Sequence, residues 1–155
     1  MSLVIANYDP EWPLHFEREA AAVRAVEGVR AVEHVGSTAV PGLAARPTID
    51  LLVGVDDPAA APPERFETLG YREDAGTSPR TFWKGTRTFR TYELLVVRAG
   101  GAAWERRLAL RDRLRADPAL AERYAHGKRE LALAHGKNRA AYAEAKADFV
   151  DSLLS

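Results

Sequence analysis

At 155 residues, with 46% apolar and 28% charged side chains, the chain has the size and composition of one globular domain with a real core. Its 22 basic and 22 acidic residues cancel, which argues against broad electrostatic binding to nucleic acid. The lack of cysteine excludes disulfides, thiolate catalysis and cysteine-based zinc sites, and no apolar run approaches the roughly 18 residues of a membrane span.

Met1 to Asp9 shows no basic region followed by an apolar block. No signal peptide is therefore read, and a cytoplasmic location is expected. Pro10 to Val26 reads as the first helix, with Asp9 as N-cap, an apolar stripe of Trp12, Phe16, Ala20 and Val23, and Gly28 as its stop. Val29 to Val35 reads as a strand running into a Gly36-Ser37 turn. Val40-Pro41-Gly42 is loop chemistry. Thr48 to Val55 is nearly continuously apolar apart from Asp50, the pattern of a central strand covered on both faces.

A short helix is expected over Pro63 to Leu69, a strand beginning at Tyr71 to Glu73, and a hairpin over Thr81 to Val97 turning at Lys84-Gly85-Thr86. Three helices follow: Ala102 to Arg115, one opened by Asp117-Pro118, and Asn138 to Leu154. The expectation is one domain over 1–155, with an α/β core over 1–99 and a helical part over 100–155.

An internal echo links the last two helices. Tyr124-Ala125-x-x-Lys128 recurs as Tyr142-Ala143-x-x-Lys146, each lysine one helical turn after its tyrosine. Two snorkelling lysines beside an apolar stripe would explain it, and so would two cations aimed at a phosphate.

The chemistry concentrates between Gly36 and Asp50, which are separated by 13 residues. A glycine turn permits close approach of backbone N–H groups to an anion, and Ser37 and Thr38 add hydroxyl donors. Asp50 stands in an apolar strand, where an unpaired carboxylate would cost several kcal/mol. It therefore needs a metal, a cation such as Arg46, or several hydrogen bonds. His34 reads equally as a structural histidine or a ligand. Arg80, Lys84, Arg87 and Arg90 read as a solvated hairpin face or a substrate clamp, and Arg111 and Asp112 as pairing with other charged groups in a helix-capping or sheet-anchoring role. Trp12, Trp83 and Trp104 read as core, with Trp83 also able to stack on a base.

Val35-Gly36-Ser37, twelve residues, then Asp50-Leu51-Leu52-Val53 resembles the polymerase-β-type nucleotidyltransferase pattern. More closely, the chain resembles the GrpB family, also called UPF0157. The matching blocks are Tyr8-Asp9-Pro10-Glu11-Trp12-Pro13, His34 through Asp50, Leu110-Arg111-Asp112-x-Leu114-Arg115, and the two Tyr-x-x-x-Lys segments.

The resemblance implies a nucleotidyltransferase-like α/β fold: a mixed β-sheet flanked by helices, with a C-terminal helical bundle. The leading expectation is nucleotidyl or phosphoryl transfer from a nucleoside triphosphate, with Mg²⁺ held by Asp50 and Glu93. Gly36, Ser37, Thr38, Arg46, Lys128 and Lys146 would bind the phosphates. A non-catalytic nucleotide-binding or regulatory module is the alternative, linked to coenzyme A biosynthesis because family members occur fused to dephospho-CoA kinase. An exposed strand edge or apolar helix face could make a homodimer.

Two departures from these patterns bear on activity. Active nucleotidyltransferases carry a second acid at i+2 of the strand, and here that position is Leu52. Asp56 shares the face but lies about 20 Å along the strand. GrpB-like sequences commonly carry His-Leu-His where this chain has Glu93-Leu94-Leu95, so Glu93 becomes the second candidate carboxylate.

Overall fold

The computed structural model describes residues 5–86, 88–135 and 138–154. On β2 (Ile49–Val55), Leu51, Leu52 and Val53 all have 0% exposure, so both faces of the strand are covered, as its apolar run requires. β1 (Val29–Val35) pairs antiparallel with β2, and β5 (Arg90–Arg98) pairs parallel with β2 on its other side. β4 (Arg80–Gly85) and β3 (Arg72–Asp74) follow antiparallel, giving a mixed five-stranded sheet in the order β1-β2-β5-β4-β3.

One face of the sheet packs on α1 (Trp12–Arg24), whose stripe of Trp12, Phe16, Ala20 and Val23 is buried against Leu51, Val53, Phe82, Leu94 and Val96. The short α2 (Glu64–Glu67) adds Phe66 to the same core. The opposite face packs on α3 (Ala102–Ala116), where Trp104 covers Val35, Leu52 and Val97. A third cluster joins Val40 and Leu43 of the loop after β1 to Leu114, and to Leu120, Tyr124, Val150 and Leu153 of α4 (Pro118–His135) and α5 (Arg139–Leu154). The helical layer is thus fastened to the segment that follows Gly36.

Helices α4 and α5 cross closely. A Cβ on Gly127 would lie 2.1 Å from Cζ of Phe149, so only a hydrogen fits there. Among the described residues no helix is long and apolar enough to cross a membrane.

Several boundaries differ from expectation. The first helix begins at Trp12, and Asp9 accepts a hydrogen bond from Glu11 N–H at 2.8 Å in the turn before it. The hairpin turns beyond the expected Lys84-Gly85-Thr86: Gly85 still belongs to β4, and Thr86 N–H donates to the Phe89 carbonyl at 2.8 Å. Arg87, expected in the hairpin charge cluster, lies outside the described residues. Asp117 does cap α4, accepting from Leu120 N–H at 3.1 Å.

Candidate functional site

At the end of β1 the chain turns on Gly36, whose φ of 79° and ψ of −177° favour glycine. One 3-10 turn, Ser37–Ala39, follows. Steric fit makes the same demand as the dihedrals, because a Cβ at position 36 would lie 2.2 Å from Oδ2 of Asp50. The Gly36 backbone therefore rests directly on the Asp50 carboxylate.

Asp50 pairs in register with Glu93 across the parallel β2–β5 ladder. Their side chains emerge on the sheet face that α3 covers further along. Leu52, two residues on, shares that face and has 0% exposure beneath Trp104. The position that would carry a second strand acid is thus part of the core. Asp56 lies on the exposed surface, paired with Arg30 at 2.7 Å.

Glu93 is held by two arginines, Arg90 at 3.5 Å and Arg46 at 4.0 Å; Arg90 also reaches Asp74 at 3.0 Å. The expected alternative of an Arg46–Asp50 bridge is not formed: Arg46 is bridged to Glu93, and Asp50 makes no ion pair or side-chain hydrogen bond among the described residues. Burial, reinforced by the Glu93 charge, pushes the Asp50 carboxyl up to about 7, against the pull of Lys146, Lys128 and Arg46.

Facing these acids is a cavity of about 790 Å³ between the sheet and α3–α5, lined among others by Gly36, Ser37, Arg107, Lys128 and Lys146. Lys128 donates to Ser37 Oγ at 3.2 Å and sits 5.2 Å from the Tyr124 ring centroid. Neither Lys146 nor Arg107 has a hydrogen-bond or ion-pair partner among the described residues. Burial lowers the Lys128 pKa, opposed by Asp50. The Lys128 charge, then burial, lowers that of Lys146. Burial lowers that of Arg107, with Asp50 opposing.

The echoed Tyr-x-x-x-Lys segments thus converge on one cavity from two helices. Arg107 joins them from a third and was not among the expected site residues. Its signal was the spacing Trp104-x-x-Arg107-x-x-x-Arg111, which puts it on the inward face of α3.

Thr38 is not brought into this group. It is buried, and its Oγ1 lies 2.9 Å from Nε2 of His34 and donates to the Thr48 carbonyl at 3.4 Å. The expected hydroxyl contribution to a ligand passes to Ser37, because the turn points the two side chains apart. His34 stacks on Phe16 with ring centroids 4.7 Å apart. Burial, then the charges of Arg115 and Arg111, pushes its pKa down to about 4, so it is a neutral structural histidine.

Arg111 anchors α3 to the sheet as expected, donating to Glu33 at 2.8 Å and to the His34 carbonyl at 3.3 Å. The hairpin cations are committed to ion pairs: Arg80 with Glu73, Lys84 with Glu19, Arg90 with Asp74. Trp83, expected in the core, is half-buried, with Arg72 and Arg90 guanidinium carbons 5.8 and 4.9 Å from its ring centroid.

The donor set fits one hard divalent cation. Two carboxylates stand side by side, and a Mg²⁺ bound by one or two carboxylates completes its octahedron with water and phosphate oxygens. No cluster of three or more metal-ligating side chains occurs among the described residues, so the set does not fit a two-metal centre.

Fold and site together define an α/β protein with a mixed sheet and a charged cavity enclosed by a helical layer. The chain matches the GrpB protein family over residues 2–155 and belongs to it. A UPF0157 protein of Halalkalibacterium halodurans is 40% identical over 162 residues, covering 99% of this chain and 81% of that protein. Another from Pseudomonas aeruginosa is 41% identical over 159 residues, covering 94% of this chain and 64% of that one. The crystal structure of conserved protein GrpB from Enterococcus faecalis superposes with a TM-score of 0.78 at 35% identity, over 97% of this chain and 94% of that chain. A partial match to a dephospho-CoA kinase of Mycolicibacterium paratuberculosis is 45% identical over 58 residues, 34% of this chain and 14% of the kinase.

Proposed function

We propose that this protein binds a nucleoside triphosphate with Mg²⁺ and transfers a nucleotidyl or phosphoryl group to an acceptor. One observation carries the reading. Arg107, Lys128 and Lys146 converge, without an ion-pair partner among the described residues, on a cavity that also holds the Gly36–Ser37 turn and two adjacent carboxylates. Burying such cations is unfavourable unless an anion completes them. A polyphosphate supplies that charge.

Ser37 Oγ and Lys128 would hold the phosphates over the Gly36 turn, which leaves no side chain in the way. Arg107, Lys146 and Arg46 would neutralise the charge that accumulates on the departing phosphate. Asp50 and Glu93 would hold Mg²⁺, which supplies Lewis-acid polarisation of the phosphoryl oxygens. The sequence spacing shared with nucleotidyltransferases supports the same assignment.

Thermal shift with each nucleoside triphosphate, with and without Mg²⁺, tests this. Stabilisation that needs Mg²⁺ and vanishes in Asp50→Ala supports the metal site. Stabilisation indifferent to both sinks it.

Leu52 and the small carboxylate set favour a second reading, a nucleotide-binding or regulatory module without catalysis. The partial likeness to a dephospho-CoA kinase makes such a kinase the partner to try first. Binding without pyrophosphate release for any acceptor selects this reading.

A further inference from the structure

The chain has three tryptophans, and two of them are core. Trp12 is 4% exposed in the cluster beneath α1, and Trp104 is 8% exposed in the cluster beneath α3. Trp83 joins none of the three apolar clusters. It is half-buried on β4, and two guanidinium groups approach its ring, Arg90 at 4.9 Å and Arg72 at 5.8 Å from the centroid. A large flat ring left partly in water offers a stacking surface that the fold itself does not use up.

Strand register ties this ring to the carboxylates. Asp50 pairs with Glu93 across β2–β5, Glu93 with Trp83 across β5–β4, and Trp83 with Arg72 across β4–β3. Partners directly opposite on neighbouring strands point to the same face. Asp50, Glu93, Trp83 and Arg72 therefore form one row across the sheet. Neighbouring strands lie about 5 Å apart, so the indole stands one strand beyond Glu93 and two beyond Asp50. The cavity extends past β5 in the same direction: Ser78, in the segment leading into β4, is part of its lining.

The two arginines at the ring are not equivalent. Arg90 is pinned by Asp74 at 3.0 Å and Glu93 at 3.5 Å. Arg72 is exposed and makes no hydrogen bond or ion pair among the described residues. A planar ligand can displace it from the indole without breaking an ion pair.

We infer that Trp83 is a base-stacking platform, on which the nucleobase of a bound nucleotide lies while its phosphates reach Asp50 and Glu93. A nucleotide carries its base one ribose away from its first phosphate. A step of one strand from the carboxylate pair to the indole suits that separation. Every base presents a π-face, so stacking alone does not choose among them. The inference rests on the proposed function for the phosphate-holding end of the site and adds the seat of the base.

Calorimetry in the presence of Mg²⁺ compares each of the four nucleoside triphosphates with inorganic tripolyphosphate, a phosphate chain that has no base. Expected for the wild type is at least one nucleotide bound about tenfold more tightly than tripolyphosphate. Trp83→Ala should remove that advantage and leave tripolyphosphate affinity unchanged. Trp83→Phe, which keeps a ring, should retain most of it. Tryptophan emission supplies a second readout: the nucleotide should quench it, tripolyphosphate should not, and Trp83→Phe should lose the quench while still binding. Equal affinity for nucleotides and tripolyphosphate, or a nucleotide advantage that survives Trp83→Ala, overturns the inference. If tripolyphosphate binds and no nucleotide binds more tightly, the platform fails and the phosphate cavity stands. If neither binds, both fail.

Discussion

Gly36 and Asp50 are in direct steric register: the space a side chain would occupy on the glycine is filled by the carboxylate of the aspartate, 2.2 Å from the position of its Cβ. The turn and the acid are thus one unit, built from the end of β1 and the start of β2.

Gly36→Ala therefore has two consequences. It places a side chain at φ 79° and drives it into Asp50. Together these should destabilise the protein by about 2–4 kcal/mol. Adding Asp50→Ala should recover the steric part and leave the dihedral part, which a double-mutant cycle in urea would separate.

The pH dependence follows from Asp50. Its folded-state pKa, pushed up to about 7 by burial and Glu93, stands above its unfolded value of about 3.8. Between these pH values the folded state binds more protons than the unfolded one, so this group's contribution to stability falls as pH rises and levels off above about 7. Asp50→Asn removes that slope. The metal-free variant should gain on the order of 4 kcal/mol over the wild type at pH 8 relative to pH 4, measured by denaturant melts at both. A constant difference between the two pH values would contradict it.

Arg107→Gln separates stability from binding. Removing a half-buried cation that has no ion-pair partner among the described residues should stabilise the ligand-free protein by about 1 kcal/mol, seen as a slightly higher melting temperature. The same change should weaken pyrophosphate or nucleotide affinity about tenfold, read by calorimetry.

Leu52→Asp restores the acid spacing of active nucleotidyltransferases on paper. In this fold it buries a carboxylate beneath Trp104 and should cost about 4 kcal/mol or more. Circular dichroism melts should show a severely destabilised protein and no new metal-dependent activity.

Much of the site was legible because it is local. The Gly36 turn, Asp50 in an apolar strand and the repeated Tyr-x-x-x-Lys spacing each lie within one element or at its end. The convergence of Lys128 and Lys146 was readable only as one of two alternatives, since it depends on how α4 meets α5. Glu93 came from family likeness, because the parallel β2–β5 pairing joins segments about 40 residues apart and leaves no periodic trace. Arg107 was hidden by its neighbours: α3 is rich in arginine, and composition does not say which side chain turns inward. Thr38 was misplaced because Ser37 and Thr38 are adjacent on one tight turn, and a step of one residue separates the cavity from the core.

The seam between α4 and α5 has a role larger than packing. Gly127 immediately precedes Lys128, and Phe149 lies three positions, about one turn, beyond Lys146. The interlock acts as a ruler. A side chain larger than hydrogen at position 127 would press on the Phe149 ring, so the ring or the helix seam would have to shift. The approach of the two helices that carry the cavity's lysines therefore depends on an uncharged contact, a glycine backbone against a phenylalanine ring.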